Sequence, residues 1–376
     1  MLTKRGSQAR GPRASLSLSA QTAQDPSDKG CIWSLRGGTS SYKIEDDVMA
    51  RPLRIAINGF GRIGRSVLRI LMQDRLETGI EVVCINDIAP VETCAYLFEY
   101  DSVFGVFRGD VSHDADHLIV DDTRVRFHRT PDLSTVDLAG VDLVLECTGK
   151  AQARDWAMRG LDAGAKRVMI TGPSDAADVT VVLGANDAVL GDQTIVSNAS
   201  CTTNALAPLL ARLDERFDLR AAHMTTIHCY TGSQPMVDGP RGDMARSRAG
   251  ALSMVPTTTS ASRMVGVILP DMADRLTAAS VRVPTASVSA IDVVARFDQT
   301  PDAGSLQAWV AEQSDTIIGH TDRPLVSTDL RGRPESLIVA QPEAMVGGDG
   351  QVRIFGWYDN EWGYANRVID LALRMT

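Results

Sequence analysis

Only six of the 376 residues are cysteines, and they show neither the spacing of a zinc site nor that of a disulfide framework. That leaves no sequence support for a bound metal and points to a reducing compartment, hence to the cytoplasm. Apolar runs long enough to cross a bilayer are missing. A cationic excess is missing too: the formal charge of -9 argues against a general nucleic-acid-binding surface, which needs clustered Lys and Arg. A local basic groove for a small anion is compatible with that balance. With 44% hydrophobic residues, the chain is large enough to bury two packed domains.

What the chain does have is a special setting for one thiol, in the segment Ser197-Asn198-Ala199-Ser200-Cys201-Thr202-Thr203-Asn204. A strand-like run, Thr194 to Val196, precedes it and an apolar-periodic helix follows. A helix amino-terminus presents unpaired N–H groups and partial positive charge, so a cysteine in its first turn is stabilised as the nucleophilic thiolate. Taken alone, a free cysteine is as well read as a small buried apolar residue. The hydroxyls of Ser200, Thr202 and Thr203 argue against an apolar pocket and offer hydrogen bonds to a substrate oxygen. Downstream, His223 to Thr231 alternates like a strand and carries His228. A strand returning beside the helix start would let His228 pair with the thiolate and act as general base and acid. A lone histidine in such a run is more often a satisfied core group, so His228 gains weight only from its neighbours.

A second site is announced at Arg54-Ile55-Ala56-Ile57-Asn58-Gly59-Phe60-Gly61-Arg62-Ile63-Gly64, where an apolar strand runs into a glycine-rich turn. Gly59 permits the tight turn, Gly61 lets the backbone approach a pyrophosphate, and Gly64 lets the following helix, expected over 65–72, pack on the strand. A second strand, Ile80 to Asn86, ends at Asp87. A carboxylate there accepts hydrogen bonds from the adenosine ribose and repels a 2′-phosphate, which selects NAD over NADP.

The order of elements predicts an α/β protein with a Rossmann dinucleotide-binding domain and an α+β catalytic domain built on a mixed, largely antiparallel sheet. From Arg51 to Ala199, strands such as Val141 to Cys147, Val168 to Thr171 and Val179 to Leu183 alternate with helical patterns such as Ala153 to Ala163. Beyond Cys201 come longer alternating strands: Ala221 to Tyr230, Ala278 to Val283 and Ser287 to Phe297. The boundaries read 51–200 for the dinucleotide domain, 201–358 for the catalytic domain and 359–376 for a terminal helix. Cys84 and Cys147 sit in apolar strands and read as core. Thr231 to Ala251, broken by Pro235, Gly239, Pro240 and Gly242, reads as a loop. Residues 1–50, rich in Ser, Gly, Arg and Gln, read as a disordered extension. Their first part is basic and acid-poor like a transit peptide, without the apolar stretch of a secretory signal. The simpler expectation is an upstream start, with Met49 as the true initiator.

Together these motifs resemble the phosphorylating, NAD-dependent glyceraldehyde-3-phosphate dehydrogenases over nearly everything from Pro52 onward. Further segments carry the resemblance: Tyr100-Asp101-Ser102, Val255-Pro256-Thr257-Thr258-Thr259, Arg282-Val283-Pro284-Thr285 and Trp357-Tyr358-Asp359-Asn360-Glu361-Trp362-Gly363-Tyr364. The resemblance implies an aldehyde oxidised through a thioester on Cys201, with His228 and the Cys201 backbone N–H stabilising the hemithioacetal oxyanion. It implies triose phosphate and inorganic phosphate as partners, with Thr231 and Arg282 at the substrate phosphate and Ser200, Thr259 and Arg246 at the attacking phosphate. For the cofactor it carries over Asn58, Phe60, Arg62 and Ile63 in the glycine turn, Arg129 near the adenine, and Thr148, Gly149 and Thr171 after the following strands. Asn360 becomes the nicotinamide carboxamide anchor, with Tyr364 beside it. Pro240 agrees with NAD-using members. A homotetramer is implied, with the 231–251 loop at a subunit contact bordering a neighbour's cofactor.

Several positions depart from the family pattern. Ala205 replaces a second cysteine, which removes one route to an oxidised disulfide. Ser233 stands where Asp is frequent, and Ser260 where a glycine usually follows the phosphate-binding Thr, so its Cβ could crowd a phosphate contact. Glu335-Ser336-Leu337 and Ala340-Gln341 also differ. Two rival functions stay open at this level: erythrose-4-phosphate dehydrogenase, which hydrolyses the thioester with water, and a dinucleotide- or RNA-binding protein of low turnover.

Overall fold

The computed structural model describes residues 51–375, so the expectations for residues 1–50 lie outside the described residues. Strand Leu53–Asn58 is apolar almost throughout and buried on both faces, as the centre of a parallel sheet requires. It pairs in parallel with Ile80–Asn86 on one side and Leu143–Glu146 on the other. Beyond Leu143–Glu146 the sheet continues through Arg167–Ile170, Ile195–Ser197 and Val179–Thr180, all parallel. Beyond Ile80–Asn86 come the parallel Thr123–His128 and the antiparallel His117–Val120 and Val111–His113, giving nine strands in all. Strand order reverses direction at Leu53–Asn58, and a ligand crevice opens at the carboxyl ends of strands flanking such a switch point.

The helix after the glycine turn covers Arg62–Gln73, three residues earlier than the pattern suggested, because Gly61 already serves as its N-cap. Helix Cys201–Phe217 follows the last strand of this sheet and packs on the second. That second sheet has eight strands. Its long strand Leu219–Cys229 runs parallel to Leu276–Val283 and antiparallel to Ser289–Phe297, which pairs antiparallel with Gln351–Tyr358. Parallel pairing recurs only at Ile318–Thr321 with Leu337–Ala340 among the described residues, so the sheet is mixed and largely antiparallel.

One apolar core joins both sheets, holding Ile57 and Leu68 together with Leu206, Met224, Ile291 and Val368. The terminal helix Trp362–Arg374 packs against Arg62–Gln73, which returns the end of the chain to the glycine turn. Between Cys229 and Val255 the only regular element is the single turn Ala245–Ser247, in keeping with the polar, broken sequence there.

Candidate active site

Cys201 is the first residue of its helix, and Ser200 caps it: the Ser200 hydroxyl oxygen accepts the Thr203 N–H at 3.1 Å. Just before the cap, Ala199 adopts a left-handed backbone (φ 50°) that a side-chain-bearing residue rarely takes. Two hydrogen bonds hold it there. Ala199 donates its N–H to the Ser197 hydroxyl (3.1 Å), and the Tyr364 hydroxyl donates to the Ala199 carbonyl (2.9 Å). The sharp turn lifts Cys201 out of the strand and into the space beside the second sheet.

Strand Leu219–Cys229 places His228 there, with Nε2 3.7 Å from the Cys201 sulfur. The other ring nitrogen, Nδ1, lies 2.7 Å from the Cys229 carbonyl. A carbonyl can only accept, so Nδ1 carries the proton and Nε2 presents its lone pair to the thiol. Tyr358 closes the far side edge-on to the imidazole, 6.0 Å between centroids, and its hydroxyl bridges the hydroxyls of Thr202 and Thr226 at 2.8 Å each. Burial pushes the Cys201 thiol up to about 11, against hydrogen bonds from Thr202 and the nearby Arg282 charge. It likewise pushes the His228 imidazole down to about 4, against the Cys229 carbonyl. Each direction is the cost of a lone buried charge. Proton transfer from sulfur to Nε2 makes both charges at once, and their mutual attraction opposes that cost. The helix terminus and the imidazole both favour the charged pair.

Arg282 lies directly across from His228 on the neighbouring strand. Its guanidinium donates to the Thr231 hydroxyl (2.8 Å) and the Cys229 carbonyl (3.3 Å). Arg246, on the 245–247 turn, donates to the hydroxyls of Thr257 (2.5 Å) and Thr258 (2.6 Å). These acceptors are neutral, so both guanidinium charges stay uncompensated. A cleft of about 160 Å³ brings the two together, lined also by Ser233, Gln234, Arg241 and Thr257. It suits an oxyanion that takes forked hydrogen bonds.

A second cleft, about 220 Å³, opens where the first sheet reverses and is lined by Asn58, Gly59, Gly61, Asp87, Thr148 and Trp156 among others. The three glycines answer to distinct demands. A Cβ on Gly59 would sit 2.8 Å from the Cys147 and Thr148 backbones, and one on Gly64 would sit 2.3 Å from the Gly59 oxygen. Around Gly61 nothing lies within 4 Å of that position, an open approach to the helix amino-terminus that a pyrophosphate fits. Asp87 holds the turn: its carboxylate accepts the Phe60 N–H at 2.7 Å and the Ala89 N–H at 2.9 Å. Beneath, buried Glu146 accepts from Asn58 and from both the N–H and hydroxyl of Thr148, while burial pushes its carboxyl up. Arg129 donates to the Ile88 carbonyl at the rim (3.0 Å).

Several expected residues are also held by contacts within the chain. The Thr202 hydroxyl meets that of Tyr358 at 2.8 Å. Ser200 caps the helix with its oxygen, Thr259 accepts the Ala261 N–H (3.2 Å), and Thr257 and Thr258 stand beside Arg246. Ser260 is exposed with an ordinary φ of -84° at the start of the next helix, so this backbone does not require glycine. Phe60 is buried against Phe98, and Ile63 packs on the core. The Arg62 guanidinium is engaged by Glu361 and Asp101, which ties the glycine turn to the terminal helix. Thr171 donates to the Glu146 carbonyl (3.0 Å), Gly149 is a left-handed turn residue (φ 71°), and Tyr364 supports Ala199. Asn360 is buried, its Oδ1 accepting from the Cys229 thiol (3.1 Å) and the Ser289 hydroxyl (3.3 Å), which leaves its Nδ2 donors for a ligand.

Sequence reasoning missed Glu146, Tyr358, Cys229 and Arg241. An acid ending the apolar strand Leu143–Glu146 was the readable signal for the first. Nothing local marks the others, whose roles come from contacts across the fold.

A glycine turn at a sheet reversal, joined to a cysteine–histidine pair and an arginine-lined cleft, defines a dinucleotide-dependent oxidoreductase working through a cysteine nucleophile. The family models agree. "Glyceraldehyde 3-phosphate dehydrogenase, NAD binding domain" matches residues 53–154, and the C-terminal domain of the same family matches residues 200–360. Among curated relatives, glyceraldehyde-3-phosphate dehydrogenase of Xanthobacter flavus is 44% identical over 86% of this chain and 98% of its own. That of Cereibacter sphaeroides is 42% identical over 86% and 98%, and glyceraldehyde-3-phosphate dehydrogenase 1 of Bacillus subtilis 38% over 85% and 97%. The chain belongs to the glyceraldehyde-3-phosphate dehydrogenase family.

Proposed function

We propose that this protein oxidises D-glyceraldehyde 3-phosphate and phosphorylates the product, giving 1,3-bisphosphoglycerate, with NAD as cofactor. The observation that carries the reading is the Cys201–His228 pair, with the imidazole tautomer set by the Cys229 carbonyl. As the sulfur attacks the aldehyde carbon, Nε2 takes the thiol proton. The oxyanion of the hemithioacetal is held by the imidazolium and by the Cys201 N–H at the open helix terminus. Bound NAD supplies the acceptor for the hydride that leaves this carbon. Asp87 would hold the adenosine ribose, the Gly61 opening the pyrophosphate, and the Asn360 amide the nicotinamide carboxamide.

In the second stage a phosphate oxygen attacks the thioester carbon, the C–S bond breaks, and the sulfur leaves as thiolate beside His228. Thr231 and Arg282 would hold the substrate phosphate and Arg246 the attacking one. The protein works as a homotetramer in this reading. Large apolar side chains at Met236, Val237, Met244, Leu252 and Met254 all stand exposed on one loop, and a subunit contact would cover them. A cytoplasmic setting belongs to the same reading, in which Cys201 works as a free thiol.

The test is NADH formation from glyceraldehyde 3-phosphate with and without inorganic phosphate, with erythrose 4-phosphate as competitor. Phosphate-dependent turnover favouring the triose is expected. Phosphate-independent turnover favouring the tetrose would reassign the protein to the hydrolytic reaction, and silence with both would leave a dinucleotide-binding protein.

A further inference from the structure

Charge in the anion cleft is one-sided. Arg241, Arg246 and Arg282 all line it, and its other lining residues, Ser233, Gln234 and Thr257, carry no charge. Arg246 and Arg282 are pinned by hydroxyls and carbonyls that hold them in place without neutralising them. Elsewhere on the same loop Arg248 behaves as a surface arginine ordinarily does, pairing with Asp238 at 2.7 Å. The backbone of Arg241 is fixed: its N–H donates to the Ser247 hydroxyl (3.0 Å), which in turn donates to the Asp243 carbonyl (2.7 Å). That tether holds the backbone of Arg241 beside the turn that carries Arg246, and the residue lines the cleft with it.

Resting on the phosphorylating reading above, we infer that Arg241 is a third phosphate-binding guanidinium, which screens the two phosphate groups that meet in this cleft during the second stage. In that stage the acyl chain already places one dianionic phosphate at Thr231 and Arg282. A second dianion must then enter beside Arg246 before its oxygen can attack the thioester carbon and displace the Cys201 sulfur. Two guanidiniums carry half the charge needed to balance two dianions. A third lowers the repulsion opposing the second arrival, and it acts on phosphate entry and on retention of the doubly phosphorylated product. Acylation, with a single phosphate in the cleft, depends on it less. Guanidinium geometry matters as well as charge, because a fork binds two phosphate oxygens where an ammonium offers a point charge.

The experiment compares Arg241→Gln, Arg241→Lys and, as a control outside the cleft, Arg248→Gln, each in the full-length chain with saturating NAD. Arg241→Gln is expected to raise the KM for inorganic phosphate by about tenfold, the loss of one charge-assisted, solvent-screened contact. The KM for 1,3-bisphosphoglycerate in the reverse direction rises in parallel. The NADH burst in the absence of phosphate, which reads acylation alone, shifts far less. Arg241→Lys restores part of the loss, and rising salt narrows the gap between wild type and Arg241→Gln. If the phosphate KM of Arg241→Gln matches that of Arg248→Gln, the inference is overturned. It is also overturned if the burst and the KM for NAD degrade as much as the phosphate KM, because the effect is then a general loss of structure. A wild-type enzyme that needs no phosphate would instead overturn the functional reading beneath it.

Discussion

Replacing His228 with Asn tests how the nucleophile is made. In the wild type, proton transfer from Cys201 to His228 creates opposite charges 3.7 Å apart, worth about 4.5 kcal/mol at an effective dielectric of about 20. That offsets roughly 3 of the about 7 pH units between His228, at about 4, and Cys201, at about 11, so the ion pair is a minor fraction whose size does not depend on pH, because the proton only moves within the pair. Asparagine removes the cation and leaves the burial that pushes Cys201 up to about 11. The sign follows directly: a thiol whose ionisation is raised is reactive only at higher pH, so the variant loses reactivity at neutrality and regains it as pH rises. The assay is the rate of iodoacetamide alkylation against pH, with peptide mapping to assign the label. Peptide mapping is needed because burial pushes Cys84 up to about 11 as well, while Cys94, Cys147 and Cys229 are each pushed up to about 12. Below neutrality the wild-type rate should change little with pH, since the proton passes internally, whereas the variant rate should rise about tenfold per pH unit. A wild-type rate that rises as steeply with pH as the variant's would refute the coupling, and with it the role given to His228.

Two further substitutions probe the surrounding structure. Asp87→Ser keeps a short polar side chain but removes the charge that repels a 2′-phosphate and the acceptor that ties down the Phe60 N–H; NAD should bind about 10- to 100-fold more weakly while NADP gains, as steady-state KM values for both cofactors would reveal. Tyr358→Phe leaves the hydroxyls of Thr202 and Thr226 without their shared partner in a dry interior; a loss of about 1–3 kcal/mol in urea unfolding is expected, and an unchanged midpoint would show that these hydroxyls find other acceptors.

The candidate site divides by how far apart its parts lie in the chain. Cys201 was readable because a strand, a cap and a helix start fall within a few residues, and a helix terminus acts on whatever occupies its first turn. The glycine turn was readable for the same reason: Gly59 and Gly64 answer to local sterics, while space stands open around Gly61. His228 was a weaker inference, since only the return of its strand beside the helix brings Nε2 to the sulfur. The partner of Thr202 was not readable, because sequence shows a hydroxyl beside a nucleophile but not the distant Tyr358 that it meets.

By itself, then, the sequence determined the local chemistry: which thiol sits at a helix terminus, which turn can approach a pyrophosphate, and which acid follows the second strand. It determined the alternation of strands and helices too, since periodicity and turn residues act over a few positions. Only the tertiary structure decided the pairings. It joined Arg246 of a loop to Arg282 of a strand and added Arg241 to them. It set Glu146 under Asn58 and Thr148, and brought Asn360 onto Cys229 and Ser289. The physical reason is that hydrogen bonds and charges act over a few ångströms in space. Residues separated by tens of positions come within that range only when sheet register and a shared core bring them there.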